Sequence, residues 1–178
     1  MLISGQSILR AGAHWIARGK DAHETGRLLL AKLYRRLTGQ EMPPIAVTDR
    51  GKPYFVDSPY HFSISHTKRR VMCAISDRPI GIDIEELDRD IDLRLAEKIL
   101  SPSERAEYDI AEDKRLALLK FWVLKEAQVK CSGEGLKGYP NHTNFSLNDP
   151  RVEIFDEEYD EADDLVLWAH IEEDDHAV

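Results

Sequence analysis

The sequence contains little cysteine and no long hydrophobic run. Only 2 of its 178 residues are cysteine, which is too few for a disulfide framework or for a zinc site made of thiolates alone. No uninterrupted apolar run exceeds five residues, too short for a membrane span or for the hydrophobic region of a secretory signal. These absences predict a cytoplasmic protein with reduced thiols and no membrane partner.

Positive charge is scarce in the second half of the chain. Residues 1–82 carry a net charge of +7, with 13 Lys and Arg against 6 Asp and Glu, whereas residues 83–178 carry −16, with 11 against 27. The overall charge of −9 argues against a nucleic-acid partner. The basic half suits an acidic protein or a polyphosphate. The candidates for contacting an acidic protein are Arg35, Arg36, Arg69 and Arg70.

Apolar spacing and turn residues predict an α+β fold with a repeated order of elements. Helices are predicted at 21–37, 92–100, from Ser101 onward and at 112–131. Strands are predicted at 61–66, 71–76, 80–85, 144–147, 151–155 and 165–171, with 156–164 as a solvated loop. The order of helix then strands occurs twice, which indicates two similar halves with a ligand cleft between them. Chance similarity between short amphipathic strands is the alternative.

The segment Gly81-Ile82-Asp83-Ile84-Glu85 is the most informative motif. Alternate residues of a strand share a face, so Asp83 and Glu85 are predicted to project together while Ile82 and Ile84 pack on the other side. Two adjacent carboxylates favour a shared cation, and hard oxygen ligands favour magnesium or manganese. The alternative is an exposed edge strand with solvated acids.

A third carboxylate is predicted on the helix at 112–131. A spacing of four residues puts Trp122, Glu126 and Lys130 on one helix face, and Lys125 adjoins Glu126. An acid flanked by two ammonium groups suits a metal-bound phosphate. A solvent-exposed Glu-Lys pair is the alternative reading of the same spacing.

Two shorter motifs carry further cations. The strand at 61–66 ends in Ser65-His66 just before a basic turn, so His66 is placed to donate to a phosphate oxygen or to cap the strand. Lys52, in the turn Gly51-Lys52-Pro53, faces either a phosphate or solvent. No Gly-x-Ser-x-Gly elbow accompanies the serine, which argues against a hydrolase nucleophile.

By their order along the chain and their spacing, these four motifs resemble the 4'-phosphopantetheinyl transferase superfamily, enzymes that convert apo carrier proteins to their holo forms. The order is Gly51-Lys52-Pro53, Ser65-His66, the segment at 81–85 and the helix face from Trp122 to Lys130. The resemblance runs from about residue 21 to 135 and looks closest to the monomeric, duplicated type. It implies a single domain over 1–178 made of two α+β halves, approximately 1–90 and 91–178. Short antiparallel sheets and a pseudo-twofold cleft are expected in that fold.

The resemblance also implies roles for individual residues. The positions corresponding to metal ligands are Asp83, Glu85 and Glu126, and the positions corresponding to coenzyme contacts are Lys52, Ser65, His66, Lys125 and Lys130. Glu126 corresponds to the candidate base, and Asp83 and Lys130 complete the catalytic set, with Glu104 in support. The implied cofactor is Mg²⁺, with Mn²⁺ possible, and coenzyme A is the co-substrate. The implied protein partner is an acyl or peptidyl carrier protein.

The chain departs from the family pattern near His66. The family usually has a glycine soon after the Ser-His pair and often an asparagine two residues before that serine, where this chain has Thr67-Lys68-Arg69-Arg70 and Ser63. Lys20 and Arg27 are the candidates for contacting the coenzyme 3'-phosphate. A non-catalytic coenzyme A or carrier-binding module, and another magnesium-dependent phosphotransferase, are the alternative functions.

Overall fold

The structure is a computed structural model that describes residues 8–15, 21–134, 144–156 and 165–172. It contains eight strands and four α-helices in these residues, together with a 3-10 turn at Leu93–Leu95. The strands are β1 (Ile8–Trp15), β2 (Ile45–Val47), β3 (Pro53–Phe55), β4 (His61–His66), β5 (Arg70–Ser76), β6 (Ile80–Glu86), β7 (Val152–Asp156) and β8 (Leu165–Glu172). The helices are α1 (Ala22–Thr38), α2 (Ala96–Ile99), α3 (Pro102–Ile110) and α4 (Lys114–Ser132).

The first sheet has the strand order β1-β5-β4, with both pairings antiparallel, and α1 packs against it. Helix α1 ends at Gly39, whose φ of 74° is left-handed and whose N–H bonds to the Arg35 carbonyl. Glycine adopts this conformation at no steric cost, so it terminates the helix as predicted. The buried core between α1, β3, β4 and β5 consists of Leu30, Leu33, Tyr34, Phe55, Phe62, Cys73 and Ile75.

The second sheet has the strand order β6-β8-β7, also antiparallel, and α4 packs against β6 and β8. Helix α3 begins at a capping box, in which the Ser101 hydroxyl accepts from the Glu104 N–H and the Glu104 carboxylate accepts from the Ser101 N–H. Residues Leu118, Leu119, Phe121, Val123 and Leu124 of α4 are fully buried. This helix is therefore the centre of the second core.

The two sheets share one connectivity. In each, the first strand pairs with the last, the middle strand lies at the edge, and one long helix follows the first strand. The approximate boundary at residue 90 between the two halves stays a prediction. The α+β class with small antiparallel sheets agrees with the sequence analysis, and the pseudo-twofold cleft stays a prediction.

One predicted strand is wrong. Residues 144–147 form no strand, because side chains of α3 bind their backbone groups. Glu104 accepts from the Phe145 N–H at 2.9 Å, and Glu107 accepts from the Leu147 N–H at 2.8 Å. Strands β1, β2 and β3 were not predicted, and the predicted loop at 156–164 lies outside the described residues beyond Asp156.

Both cysteines of the chain lie among the described residues. Cys73 and Cys131 are both buried and do not pair with each other in a disulfide. Burial raises the pKa of the Cys73 thiol far above its ordinary value, which disfavours the reactive thiolate. Within the described residues, every helix is too short or too polar to cross a bilayer.

Candidate functional site

The odd-numbered residues of β6 face α4, and this arrangement creates the site. Gly81 touches the helix backbone near Ala127 and Cys131. Two residues further along the strand, Asp83 contacts Lys130, and two further still, Glu85 contacts Trp122. The even-numbered Ile82 and Ile84 are buried at 0% and 1% exposure, which fits the predicted two-residue alternation.

Asp83 is the most constrained carboxylate of the site. Its Oδ1 accepts from the Ser65 hydroxyl at 2.8 Å and from the Lys130 ammonium at 2.6 Å, and Lys130 also donates to Ser65 at 2.8 Å. The Asp83 side chain is 7% exposed. Its other oxygen, Oδ2, is buried without a hydrogen-bond partner among the residues the structure describes. A buried carboxylate oxygen in this state is costly unless a further group binds it.

Glu85 is held by two neighbours. Its Oε1 accepts from the Trp122 indole N–H at 3.1 Å and pairs with the Arg89 guanidinium. Trp122 and Lys130 lie two turns apart on α4, and Glu126 lies between them on the same face, half-buried. The helix thus brings the third predicted acid next to the strand that carries the other two.

As they stand, the three predicted acids do not form a set of metal ligands. Across the described ranges, no group of three His, Cys, Asp or Glu side chains is arranged to hold a metal ion as it stands. Two of the predicted ligands, Asp83 and Glu85, are instead engaged by the cations Lys130 and Arg89. Lys130 engages Oδ1 of Asp83 and leaves Oδ2 without a partner among the described residues, whereas the ion pair with Arg89 would compete with a metal ion at Glu85.

Gly81 sets the distance between strand and helix. A Cβ at this position would lie 2.0 Å from the Ala127 carbonyl oxygen and 2.3 Å from the Cys131 amide nitrogen, both of them backbone atoms. Real Cβ contacts are never this short, so only glycine allows α4 to pack this closely on β6. That close packing carries Glu126 and Lys130 to Asp83.

Substituting Gly81 with alanine is therefore expected to displace α4 and to destabilise the protein by about 1–3 kcal/mol, as overpacking does. The measurement is the free energy of unfolding in urea. Gly26→Ala is the matched control, since a Cβ there meets only side-chain methyl groups, at 3.2 Å. Equal losses in both variants would contradict the role given to Gly81.

Lys125 does not face this cluster. Its ammonium and the Glu104 carboxylate are both fully buried and pair at 2.8 Å. Glu104 also accepts from the N–H groups of Ser101 and Phe145, so the pair joins α3, α4 and the segment at 144–147. Lys125 was predicted to contact the coenzyme, whereas the structure places its ammonium in a buried ion pair with Glu104. The supporting role of Glu104 stays a prediction.

Lys52 lies at the C-terminal end of α4. Its ammonium donates to the carbonyl of Cys131, and its side chain packs within 2.9 Å of where a Cβ of Gly133 would be. A cation at this end complements the helix dipole. Lys52 and Lys130 line a small cavity of roughly 210 Å³, so the turn that carries Lys52 lies close to the site. The Lys52 ammonium itself is directed to the helix backbone.

His66 opens onto a cavity of roughly 890 Å³. The cavity is lined by residues from the end of β4 and the turn after it, from the end of β6 and the segment after it, and from the start of α1. These residues are His66, Thr67, Lys68, Arg69, Glu85, Glu86, Asp88, Arg89, Asp90 and Ala22. His66 is exposed, as a phosphate contact requires. Of the candidates for the 3'-phosphate, Arg27 is exposed on α1 and Lys20 lies outside the described residues.

Arg70 was predicted to be a surface contact for an acidic protein, and this is wrong. Arg70 is 0% exposed and pairs with Glu86 at 2.6 Å. Arg69 binds Glu86 and Asp88, and the hydrogen bond to Glu86 is the main cause of the raised pKa of the Arg69 guanidinium. These contacts fasten the turn after β4 to the end of β6, whereas Arg35 and Arg36 are exposed as predicted.

The residue that sequence reasoning missed is Arg89. It contacts a predicted metal ligand, and its guanidinium lies 5.2 Å from the Trp122 ring centroid. The separation of four residues between Glu85 and Arg89 was visible in the sequence. Since Glu85 lies in a strand and not in a helix, that spacing alone did not predict a contact.

Comparison with known proteins places the chain in a family. Residues 79–178 match the family model of the 4'-phosphopantetheinyl transferase superfamily, and this range contains Asp83, Glu85, Glu126 and Lys130. The 4'-phosphopantetheinyl transferase Sfp of Bacillus subtilis (strain 168) is 36% identical over 125 residues, which are 66% of this chain and 55% of that protein.

Two further relatives extend the comparison. The 4'-phosphopantetheinyl transferase gsp of Aneurinibacillus migulanus is 33% identical over 123 residues, covering 66% of this chain and 51% of that protein. The 4'-phosphopantetheinyl transferase HetI of Nostoc sp. (strain PCC 7120 / SAG 25.82 / UTEX 2576) is 29% identical over 147 residues, covering 75% of this chain and 61% of that protein. The chain thus spans between half and about three fifths of the length of these relatives. Since the family model matches more than half of its residues, the chain belongs to the 4'-phosphopantetheinyl transferase superfamily.

Proposed function

We propose that this protein transfers the 4'-phosphopantetheine group of coenzyme A to a serine of an apo acyl or peptidyl carrier protein, in a magnesium-dependent reaction that releases adenosine 3',5'-bisphosphate. The observation that carries the proposal is the buried Oδ2 of Asp83, which has no partner among the described residues, while Lys130 binds the other oxygen of the same carboxylate. Membership of the superfamily supports the same reaction. We further propose that the protein acts as a cytoplasmic monomer.

The donor set fits a hard divalent cation. Asp83, Glu85 and Glu126 would hold Mg²⁺ or Mn²⁺, because both ions prefer carboxylate oxygens and keep positions open for phosphate oxygens. A cation at Oδ2 of Asp83 would remove the cost of burying that oxygen unsatisfied. When bound, the ion would neutralise negative charge on the pyrophosphate of coenzyme A.

The remaining roles follow from the chemistry of each side chain. The serine oxygen attacks the phosphorus that bears the pantetheine, and the bond from this phosphorus to the oxygen of the adenosine-side phosphate breaks. Glu126, directly or through a water, accepts the serine proton as general base. Lys130 meets the charge that develops on the departing phosphate, and His66 and Ser65 orient the coenzyme phosphates.

Incubation with coenzyme A, magnesium and an apo carrier protein, read by intact mass, tests this reaction. The carrier is expected to gain the mass of one phosphopantetheine group, and a chelator is expected to prevent the gain. A binding module would bind coenzyme A and leave the carrier mass unchanged. A phosphotransferase of another kind would add a bare phosphate or consume coenzyme A without modifying the carrier, and either result would overturn the proposal.

Lys130→Ala is expected to lower kcat by about 100-fold and to change KM for coenzyme A far less, because the charge it meets appears mainly in the transition state. Steady-state kinetics with a fixed apo carrier measure both constants. Lys120→Ala, which removes another lysine of α4 whose ammonium donates to the Leu147 carbonyl at 3.5 Å, is the control. A raised KM with unchanged kcat would instead assign Lys130 to ground-state binding.

A further inference from the structure

Arg89 forms an ion pair with Glu85, a carboxylate that the proposed metal ion would need as a ligand. Its guanidinium pairs with Oε1 of Glu85, the same oxygen that accepts from the Trp122 indole. The Glu85 side chain is 15% exposed and Arg89 is 34% exposed, so the pair lies at the edge of the site rather than in open solvent. An ion pair in that position resists the approach of a second cation to Glu85.

The position of Arg89 is fixed by its surroundings. The guanidinium lies 5.2 Å from the Trp122 ring centroid, which is within cation-π range. Arg115 of α4 donates to the backbone carbonyls of Leu87 and Arg89, which fastens this segment to the helix. Arg89 is therefore held at the site by both its backbone and its side chain.

A divalent ion and a guanidinium are both cations, so they compete for the carboxylate of Glu85. An ion bound to Glu85 and Asp83 would lie close to Arg89, and like charges at that distance repel. Arg89 then needs a new anion. The large cavity that it lines is also lined by His66, which is proposed to orient the coenzyme phosphates, and a planar guanidinium matches the oxygens of a phosphate.

Arg69, the other arginine in the lining of this cavity, pairs with acids that are not proposed metal ligands. Arg69 pairs with Glu86 at 3.2 Å and with Asp88 at 2.9 Å, and Glu86 also binds the buried Arg70. Neither Glu86 nor Asp88 is a proposed metal ligand, so metal binding would not displace Arg69. Arg89 differs because its ion-pair partner is itself a proposed ligand.

We propose that Arg89 exchanges Glu85 for a phosphate oxygen of coenzyme A when the metal binds, and so couples metal binding to coenzyme binding. This inference rests on the proposed function, since it uses the same metal and the same substrate. In the absence of coenzyme, Arg89 holds Glu85 and weakens metal binding. With coenzyme present, the released guanidinium strengthens binding of the phosphate, and by linkage each ligand strengthens the other.

Two binding measurements on the whole protein test the exchange. The first is the affinity for Mn²⁺ alone, from the electron paramagnetic resonance signal of the free ion. The second is the affinity for coenzyme A at saturating Mg²⁺, from calorimetry. Each is made on wild type, Arg89→Ala, Arg89→Lys and the control Arg105→Ala. Like Arg89, Arg105 pairs with an acid four residues away in the sequence, Asp109, and lies against an aromatic ring, that of Tyr108.

Arg89→Ala is expected to bind Mn²⁺ alone about two- to five-fold more tightly than wild type, as removal of a competing ion pair predicts. It is expected to bind coenzyme A at saturating Mg²⁺ about ten-fold or more weakly, because a charged hydrogen bond to phosphate is lost. Arg89→Lys keeps the charge without the planar fork, so its Mn²⁺ affinity is expected near wild type with coenzyme affinity reduced. Arg105→Ala is expected to change neither affinity.

Weaker or unchanged Mn²⁺ binding in Arg89→Ala would overturn the competition, and unchanged coenzyme affinity would overturn the phosphate contact. Either result leaves the proposed function intact if wild type binds both ligands and modifies the carrier. Failure of wild type to bind Mn²⁺ and coenzyme A would instead overturn the proposed function together with this inference. A thermal melt of each variant identifies any loss that comes from unfolding.

Discussion

Asp83→Asn is expected to lower the transfer rate by about two to three orders of magnitude while the fold survives. The substitution keeps the size of the side chain and an oxygen that can accept from Ser65, but it removes the charge that would bind a cation. Metal stabilisation is worth several kcal/mol in such reactions, and each 1.36 kcal/mol is a factor of ten in rate. The measurement is the initial rate of carrier modification at saturating magnesium.

Two comparisons separate this loss from unfolding. Lys130, which pairs with Asp83 at 2.6 Å, is 30% exposed, so its ammonium remains solvated in Asp83→Asn and the melting temperature is expected to change little. Asp109→Asn removes an exposed acid of α3, paired with Arg105, and is expected to keep full activity. If Asp83→Asn keeps a near wild-type rate in magnesium, Asp83 is a structural residue and the proposed metal site is wrong.

The main features of the strands and helices at the site could be predicted from the sequence because they depend on local periodicity. Strand β4 has the predicted bounds, and β5 and β6 each differ from prediction by one residue. The two-residue period put Asp83 and Glu85 on one face, and a spacing of four residues put Glu126 and Lys130 on one face of α4. The contact between these faces depends on Gly81, which lies inside the recognised motif.

The orientation of Lys125 could not be predicted from its position beside Glu126. Neighbouring residues of a helix point about 100° apart, so Lys125 faces α3 while Glu126 faces β6. Its partner Glu104 was visible in the sequence only as part of a helix start. The contact of Lys52 with the Cys131 carbonyl spans 79 positions and likewise left no local signal.

Long-range pairing also explains the elements that were mispredicted. Strand β1 contains Gly12 and two alanines, which are poor strand formers, and it is stabilised by pairing with β5 some sixty residues later. The segment at 144–147 has an amphipathic pattern, but the carboxylates of Glu104 and Glu107 take the N–H groups that a sheet would use. In both cases, a distant part of the chain determines the local structure.

Lys125→Met is expected to lower the free energy of unfolding by about 3–5 kcal/mol, which is the cost of removing one member of a buried ion pair. Both side chains are fully buried and 2.8 Å apart, so the Glu104 carboxylate would lose its cation without gaining water. The measurement is urea unfolding followed by tryptophan fluorescence. Lys120→Met, a substitution at a partly exposed position of the same helix, is the control and is expected to cost far less.

A double-mutant cycle decides whether Lys125 acts through Glu104. Glu104→Gln leaves the Lys125 ammonium buried and is also expected to destabilise the protein, whereas the combination of Lys125→Met and Glu104→Gln removes both charges. The combined loss is expected to be smaller than the sum of the single losses by about 1–3 kcal/mol, because the two residues are in contact. If Lys125→Met instead unfolds like wild type and binds coenzyme A more weakly, Lys125 contacts the coenzyme phosphate and the structural pair is not its role.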